Sequence, residues 1–87
     1  MISDNLWQVR AIAVTQLGKI GSAAVVKYLA ESLHDKSWWV RINAANALKD
    51  IGEVGINVLQ NVDPEIDRYA YEVSQHVLHN LITVLGE

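Results

Sequence analysis

Two histidines near the end of the chain, His76 and His79, are the first residues whose spacing suggests chemistry. They lie three positions apart, which can place two imidazole rings on one face of a helix. Glu72 lies four positions before His76, so a glutamate–histidine pair is an alternative. A zinc site needs further ligands, and the chain has no cysteine to supply them. Surface histidines are the simpler interpretation, and we expect no metal and no cofactor.

No other residues form a catalytic pattern. Ser22, Ser32, Ser37 and Ser74 each fit a helix cap or a surface position. The glycine-containing segment 18–21 lacks the spacing of a phosphate-binding loop and does not follow a predicted strand. We therefore expect no catalytic residue and a protein that is not an enzyme.

The aromatic residues give the sharper functional signal. Trp38 and Trp39 are adjacent, so their rings cannot both face one core. Trp7 lies 31 positions before Trp38, and Tyr69 lies 30 positions after Trp39. Exposed tryptophan and tyrosine are enriched at binding hot spots. For Trp7 and Trp38 we prefer the interpretation that they fill gaps between packed helices, whereas Trp39 fits either role.

Polar residues follow Trp39 on the same predicted helix. Asn43, Asn46 and Asp50 fit either a solvated face, which is the simpler account, or a polar strip that binds another protein. The candidate partner-binding residues are therefore Trp39, Asn43, Asn46, Asp50, Tyr69 and His76.

An internal repeat supplies the elements that would position these residues. Residues 4–21 match residues 35–52 at a spacing of 31 residues, with eight identities in eighteen aligned positions. A fixed period of this length is typical of stacked helical arrays, which act through their surfaces. The identical pairs are Asp4 and Asp35, Trp7 and Trp38, Val9 and Val40, Arg10 and Arg41, Ala13 and Ala44, Leu17 and Leu48, Ile20 and Ile51, and Gly21 and Gly52.

The apolar periodicity predicts five helices, at about residues 5–19, 22–33, 37–51, 53–61 and 63–85. Short connections make neighbouring helices antiparallel, and hairpins too thin to form a core alone must stack. The predicted fold is therefore all-α: an α-solenoid of antiparallel helix hairpins, with two repeats and a C-terminal capping helix. We expect residues 1–87 to form a single domain.

Several local features refine this prediction. Ser22 is the expected N-cap of the second helix, and Asp63 with Pro64 at the first helical position is expected to open the fifth. Gly55 is expected to weaken the fourth helix by roughly 1 kcal/mol relative to alanine. The expected buried stripe of the first helix consists of Leu6, Val9, Ala13, Leu17 and Ile20.

Composition narrows the possible partners. The 87 residues are 51% hydrophobic and carry a net charge of −3, with no basic tract. Because nucleic-acid binding needs clustered cations, we expect no nucleic-acid partner. The apolar runs are too short to span a membrane and the N-terminus does not resemble a signal peptide, so we expect no membrane partner and a cytoplasmic location.

Residues 35–48 resemble the signature of HEAT repeats, closest to the short bacterial type called phycobilisome-lyase-like, through the pattern Asp35-x-x-x-Trp39-Val40-Arg41-x-x-Ala44-Ala45-x-Ala47-Leu48. Residues 4–21 match the same pattern, and the resemblance covers about residues 4–62. It implies that the helices containing Val-Arg line the concave face of a superhelix. It also implies a binding scaffold for another protein; the alternative is a phycobilisome-lyase-like accessory or enzyme-associated subunit.

The repeated Asp and Arg suit charge-assisted hydrogen bonds between stacked repeats. We expect Arg10 to pair with Asp35 and Arg41 to pair with Asp63, which would make both arginines structural. The first helix has no outer partner before it, so its apolar flank is expected to be uncovered. Two explanations stay open: the chain is a piece of a longer array, which we favour, or it self-associates through the N-terminal helix edge.

Overall fold

The structure is a computed structural model that describes the backbone of residues 2–20 and 22–86 and the side chains of residues 6–20 and 22–80. In this part of the chain all regular structure is helical, which confirms the all-α prediction. The helices are α1 (Ile2–Leu17), α2 (Ala23–Ser32), α3 (Trp38–Ile51), α4 (Glu53–Gln60) and α5 (Arg68–Gly86).

The helices form two layers. Helices α1, α3 and α5 pack side by side in one layer, with α3 in the middle, and α2 and α4 form the second layer across from them. Helix α3 contacts all four other helices. This is the stacked arrangement that the repeat predicts, because each hairpin buries its apolar side against the next one.

Small side chains in α3 allow this close packing. Ala44 and Ala45 are fully buried, and Val40 and Leu48 on the same helix are also fully buried. Leucines from the second layer complete the core: Leu29 of α2 and Leu59 of α4 are both at 0% exposure.

The ends of the helices agree with the predicted caps at α2 but not at α5. Ser22 is the N-cap of α2, and its hydroxyl accepts a hydrogen bond from the Val25 amide at 3.3 Å. The prediction that Asp63 and Pro64 open the fifth helix is wrong. Asp63 instead organises a turn through its contact with the Glu65 amide, and α5 begins at Arg68 after Asp67, whose carboxylate accepts from the Ala70 amide at 3.1 Å.

The predicted buried stripe of α1 is also partly wrong. Leu6, Val9 and Ile20 are 48%, 62% and 65% exposed, whereas Ala11 and Val14 are buried in the core. The reason lies in the stacking: Val9 occupies the position of Val40, but no described helix lies on that flank of α1.

Gly55 has a packing role that helix propensity does not reveal. A Cβ atom at this position would lie 1.8 Å from the backbone oxygen of Leu48, so α3 and α4 touch through their backbones here. Gly52, between these two helices, has a φ of 111°, a conformation that glycine adopts without steric cost.

Candidate functional site

Four of the six predicted partner-binding residues lie along one side of α3. Trp39, Asn43, Asn46 and Asp50 are spaced four, three and four positions apart, so each lies about one turn from the next. All four are at least partly exposed. The structure therefore places them as one strip, which we call the α3 strip.

An aromatic cluster lies at the N-terminal end of the α3 strip. Trp39 is stacked on Trp7 of α1, with ring centroids 6.3 Å apart and an interplanar angle of 20°. Trp38 meets Trp39 edge-on at 4.9 Å and 79°. Trp38 and Trp39 remain 49% and 54% exposed, so these contacts hold the rings in place without covering them.

A polar groove runs between α1 and α3. It has a volume of about 430 Å³, and Asn43, Asn46 and Asp50 form its α3 wall. Thr15 and Lys19 face them from the α1 side. The groove offers amide donors and acceptors in its middle and charges of opposite sign at one end.

A second groove, more apolar, runs between α3 and α5. Its volume is about 220 Å³, and Trp38, Ile42 and Tyr69 contribute its apolar walls. Glu72 and His76 lie on the α5 side. The structure therefore places the two remaining predicted residues, Tyr69 and His76, beside a groove adjacent to the α3 strip.

A groove larger than these two lies on the other layer. It has a volume of about 570 Å³ and is formed by α2, α4 and the turn before α5. Val54, Asn57, Asn61 and Ile66 line it, and none of the predicted site residues does. This outer groove is a competing surface that an experiment must distinguish from the α3 strip.

The family model for HEAT repeats matches residues 1–73 of the chain. The chain belongs to the HEAT-repeat family. HEAT repeats generally act as protein-interaction scaffolds and are typically not enzymes. No curated protein and no solved structure matches the chain.

The first Asp–Arg pair of the HEAT stack is as predicted. Arg10 donates two hydrogen bonds to Asp35, from Nε to Oδ2 at 2.7 Å and from Nη2 to Oδ1 at 3.0 Å. Burial alone would raise the pKa of Asp35, but hydrogen bonds from Arg10 and from the Ser37 amide outweigh it and hold that pKa below its usual value. Arg10 therefore ties α1 to the turn before α3 and is structural.

The second HEAT pair is not as predicted, because Arg41 does not pair with Asp63. Its Nη1 donates to the backbone oxygen of Asp35 at 2.9 Å, and its guanidinium lies 5.3 Å from the centre of the Tyr69 ring. Its buried Nε has no hydrogen-bond partner among the described residues. Asp67 is the counterpart of Asp35, since each caps the turn before the next helix of this layer.

Asp67 binds a histidine in place of the repeat arginine. Its Oδ2 lies 2.7 Å from Nδ1 of His34. This hydrogen bond, together with the one from the Ala70 amide, lowers the pKa of Asp67 below its usual value. The His34–Asp67 contact joins the end of α2 to the start of α5.

Among the described residues, no group of three or more His, Cys, Asp or Glu side chains is close enough to hold a metal ion. Nε2 of His76 lies 3.4 Å from Nδ2 of Asn80, on the exposed side of α5. No helix in the described part of the chain is both long and apolar enough to cross a membrane.

Sequence reasoning missed two residues of the apolar groove, Trp38 and Ile42. Trp38 was expected to fill a gap between repeats, but half of it is exposed and it lines the groove. The Trp38-Trp39 doublet indicated that the two rings face different ways but not which of them lines a groove; in the structure Trp39 stacks on Trp7 toward α1, and Trp38 lies toward α5. Trp7 fits its expected packing role, since it is partly buried against the core.

Proposed function

We propose that the chain is a non-catalytic scaffold that binds a segment of another protein on the face of the α1–α3–α5 layer, which would be the concave face of the array. The observation that supports this most is the α3 strip. Trp39 presents half of its surface at the end of a line of polar side chains, and its ring is fixed by Trp7. A fixed aromatic ring binds with little loss of side-chain freedom, which favours hot spots.

The amides of the strip match the chemistry of a polypeptide backbone. A side-chain amide carries both donors and an acceptor, as a peptide group does. Nδ2 of Asn46 donates to the Ile42 backbone oxygen at 3.1 Å, which orients the side chain and leaves its oxygen available to a partner. Asn43, in the same groove, is only partly exposed and therefore shielded from bulk water.

The neighbouring apolar groove suits a side chain of the same partner. Trp38, Ile42 and Tyr69 offer apolar surface, and the rim carries Glu72 and His76. Tyr69 is 66% exposed and has Arg41 against its ring, which limits its movement. We propose that Tyr69 and His76 contribute to binding at this groove and that Asp50 contributes at the far end of the strip.

The test is the affinity of Trp39→Ala for a protein partner, compared with a matched variant on the other layer. The partner is first isolated from a peptide display library selected on the intact chain. Tyr28→Ala is the control, since Tyr28 is a 37% exposed aromatic residue of α2. We expect Trp39→Ala to weaken binding by about 30-fold, which corresponds to about 2 kcal/mol.

Circular dichroism must show that both variants keep their helices. Equal affinities of Trp39→Ala and the wild-type chain, with the fold intact, would refute the assignment. A loss of binding in Tyr28→Ala alone would move the site to the second layer.

The assignment to a lyase-like subtype and the cytoplasmic location stay predictions of the sequence. A change in bilin absorbance on mixing with the chain tests the first, since that subtype includes proteins that help attach bilins. We also propose that residues 1–87 act as one unit, because α3 contacts every other helix. A single cooperative unfolding transition is the expected result.

A further inference from the structure

Arg41 is a repeat arginine whose charge is not matched by a carboxylate. Its equivalent, Arg10, binds the Asp35 carboxylate with Nε and Nη2, at 2.7 and 3.0 Å. Among the described residues Arg41 forms no ion pair. Its Nη1 donates to the Asp35 backbone oxygen at 2.9 Å, and its buried Nε has no acceptor. The guanidinium edge that holds a carboxylate in the first repeat therefore holds none in the second.

The carboxylates beside Arg41 are already in use. Oδ2 of Asp67 lies 2.7 Å from Nδ1 of His34, and its Oδ1 accepts from a backbone amide at 3.1 Å. A pair between Asp67 and Arg41 would require the His34 contact to break. On the α5 side, Oε2 of Glu72 lies 3.5 Å from Nε of Arg68. Each carboxylate that lines the two cavities next to Arg41 thus has another partner.

An unpaired N–H on the Arg41 guanidinium favours an acceptor from outside. A buried N–H of a charged group is costly without an acceptor, because it has lost its water and gained no hydrogen bond in return. Such groups are few in folded proteins. A carboxylate is the acceptor that fits best, since the Nε–Nη2 edge presents two parallel N–H groups that match two carboxylate oxygens.

Arg41 lies where a bound segment would reach it. It lines the apolar groove together with Trp38, Ile42 and Tyr69, and it also lines a polar pocket of about 350 Å³. Lys36 lines the polar pocket as well and adds a second positive charge. The Tyr69 ring, whose centre is 5.3 Å from the guanidinium, covers one side of it. An incoming carboxylate therefore meets two cations where an apolar surface borders a polar one.

We propose that Arg41 binds a carboxylate of the partner segment, at the point where the apolar groove meets the polar pocket. This proposal rests on the scaffold function proposed above and names the chemistry of its partner: an acidic group next to an apolar side chain that fills the groove between Trp38 and Tyr69. On binding, the Arg41 side chain turns outward, so that Nε and Nη2 donate to the carboxylate as those of Arg10 donate to Asp35. Two charge-assisted hydrogen bonds then replace one to a neutral backbone oxygen, which favours the exchange.

The test begins with random peptides, displayed with free C-termini and selected on the intact chain. We expect the selected peptides to carry a carboxylate at a fixed distance from an apolar residue. Each peptide is compared with two forms of itself: one with its acidic residue replaced by the matching amide, and one with its C-terminal carboxylate amidated. A loss of affinity in the first form assigns the carboxylate to a side chain, and a loss in the second assigns it to the chain terminus.

The variant Arg41→Gln shows which group of the chain the carboxylate binds. We expect removal of the peptide carboxylate to weaken binding by about 30-fold for the wild-type chain and by less than about 3-fold for Arg41→Gln. Arg68→Gln is the matched control, because it makes the same charge change at an arginine whose side chain is 81% exposed. The full loss should remain in this control. Circular dichroism checks that both variants keep their helices.

A measurement on the wild-type chain keeps the test valid if Arg41→Gln does not fold. The ¹H–¹⁵N resonance of the Arg41 Nε–H group should shift with the acidic peptide and stay in place with its amide form. Equal losses in the wild-type and Arg41→Gln chains would overturn the proposal. Selected peptides that need no carboxylate, or an Arg41 resonance that the acidic peptide leaves unmoved, would overturn it too.

The outcome for Arg41 is distinguishable from the outcome for the scaffold function. If Trp39→Ala weakens peptide binding while removal of the carboxylate does not, the scaffold assignment stands and the role of Arg41 is refuted. If Trp39→Ala binds as well as the wild-type chain while Arg41→Gln abolishes the effect of the carboxylate, the α3 strip is refuted and the role of Arg41 is supported.

Discussion

Replacing Gly55 with alanine gives opposite expectations from the sequence and from the structure. Alanine is the better helix former, by about 1 kcal/mol, so propensity alone predicts that Gly55→Ala stabilises α4. In the structure, a Cβ at position 55 would lie 1.8 Å from the Leu48 oxygen and 2.6 Å from the Leu48 carbonyl carbon. Both atoms belong to the backbone of α3, so no side-chain rotation can relieve the clash.

The size of the effect follows from what must move. To restore an ordinary contact, α4 must shift away from α3 by more than 1 Å or so, which disturbs the packing of fully buried Leu48 and Leu59. Overpacking of this kind costs about 3 kcal/mol or more when the backbone must move. After subtracting the propensity gain, we expect a net loss of about 2 kcal/mol in the free energy of unfolding.

Thermal and urea unfolding, followed by circular dichroism, measure this loss. For a domain of this size, we expect the midpoint to fall by about 10 °C. Asn57→Ala is the control, since Asn57 is exposed on the same helix and its replacement tests propensity without a clash. A Gly55→Ala chain as stable as the wild type, or more stable, would refute the backbone contact between α3 and α4.

Three further predictions concern the stacking of the helices. Asp35→Asn should cost about 2 kcal/mol at pH 7 by removing the carboxylate that Arg10 binds. Because the pKa of Asp35 is lower in the folded state, the ionised carboxylate contributes to the stability of the fold above about pH 4, and this contribution is lost as the pH falls through the folded pKa. Asp35→Asn should therefore lose less stability in acid than the wild-type chain does. Equal acid sensitivity of the two chains would count against the Arg10–Asp35 pair. Ser22→Ala should cost about 1 kcal/mol in urea unfolding, and no change would exclude the α2 cap. Val40→Ala should lower the free energy of unfolding by about 2 kcal/mol, because Val40 is fully buried, whereas Val9→Ala should lower it by under about 0.5 kcal/mol, because Val9 is exposed. Equal losses would contradict the difference in burial between these two equivalent positions.

The layered architecture was predictable because the same helical pattern occurs in both copies of the repeat. The 31-residue spacing that aligns Arg10 with Arg41 also brings α1 beside α3, and the Arg10–Asp35 hydrogen bonds follow from the same alignment. The N-cap role of Ser22 was predictable as well, since serine is a preferred N-cap residue and Ser22 directly precedes an apolar run.

The start of α5 could not be predicted from local patterns. Asp63 and Asp67 both precede helix-compatible sequence, and Asp63 is followed by a proline that suits a helix start. In the structure α5 begins after Asp67, where the helix packs beside α3 and where the Asp67 carboxylate binds His34. Arg41 consequently lies against Tyr69 rather than beside Asp63.

The burial of α1 residues and the backbone contact at Gly55 depend on neighbouring helices, which the periodicity of the sequence does not specify. Val9 and Val40 occupy equivalent positions in the repeat, yet Val9 is exposed and Val40 is fully buried, because among the described residues a preceding hairpin packs on α3 but not on α1. For the candidate site, the residues on α3 were predictable from helical spacing. Trp38 was not, since an adjacent tryptophan pair does not tell which ring faces a groove.

A ¹H–¹⁵N NMR titration of the chain with a selected partner peptide tests most directly whether the partner binds on the α3 strip. The side-chain amides of Asn43 and Asn46 report on the polar groove, and those of Asn57 and Asn61 report on the outer groove. If the partner binds along the α3 strip, the resonances of the Asn43 and Asn46 amides and of the Trp39 indole shift, while those of Asn57 and Asn61 do not. Shifts confined to Asn57 and Asn61 would contradict it and place the partner on the outer layer.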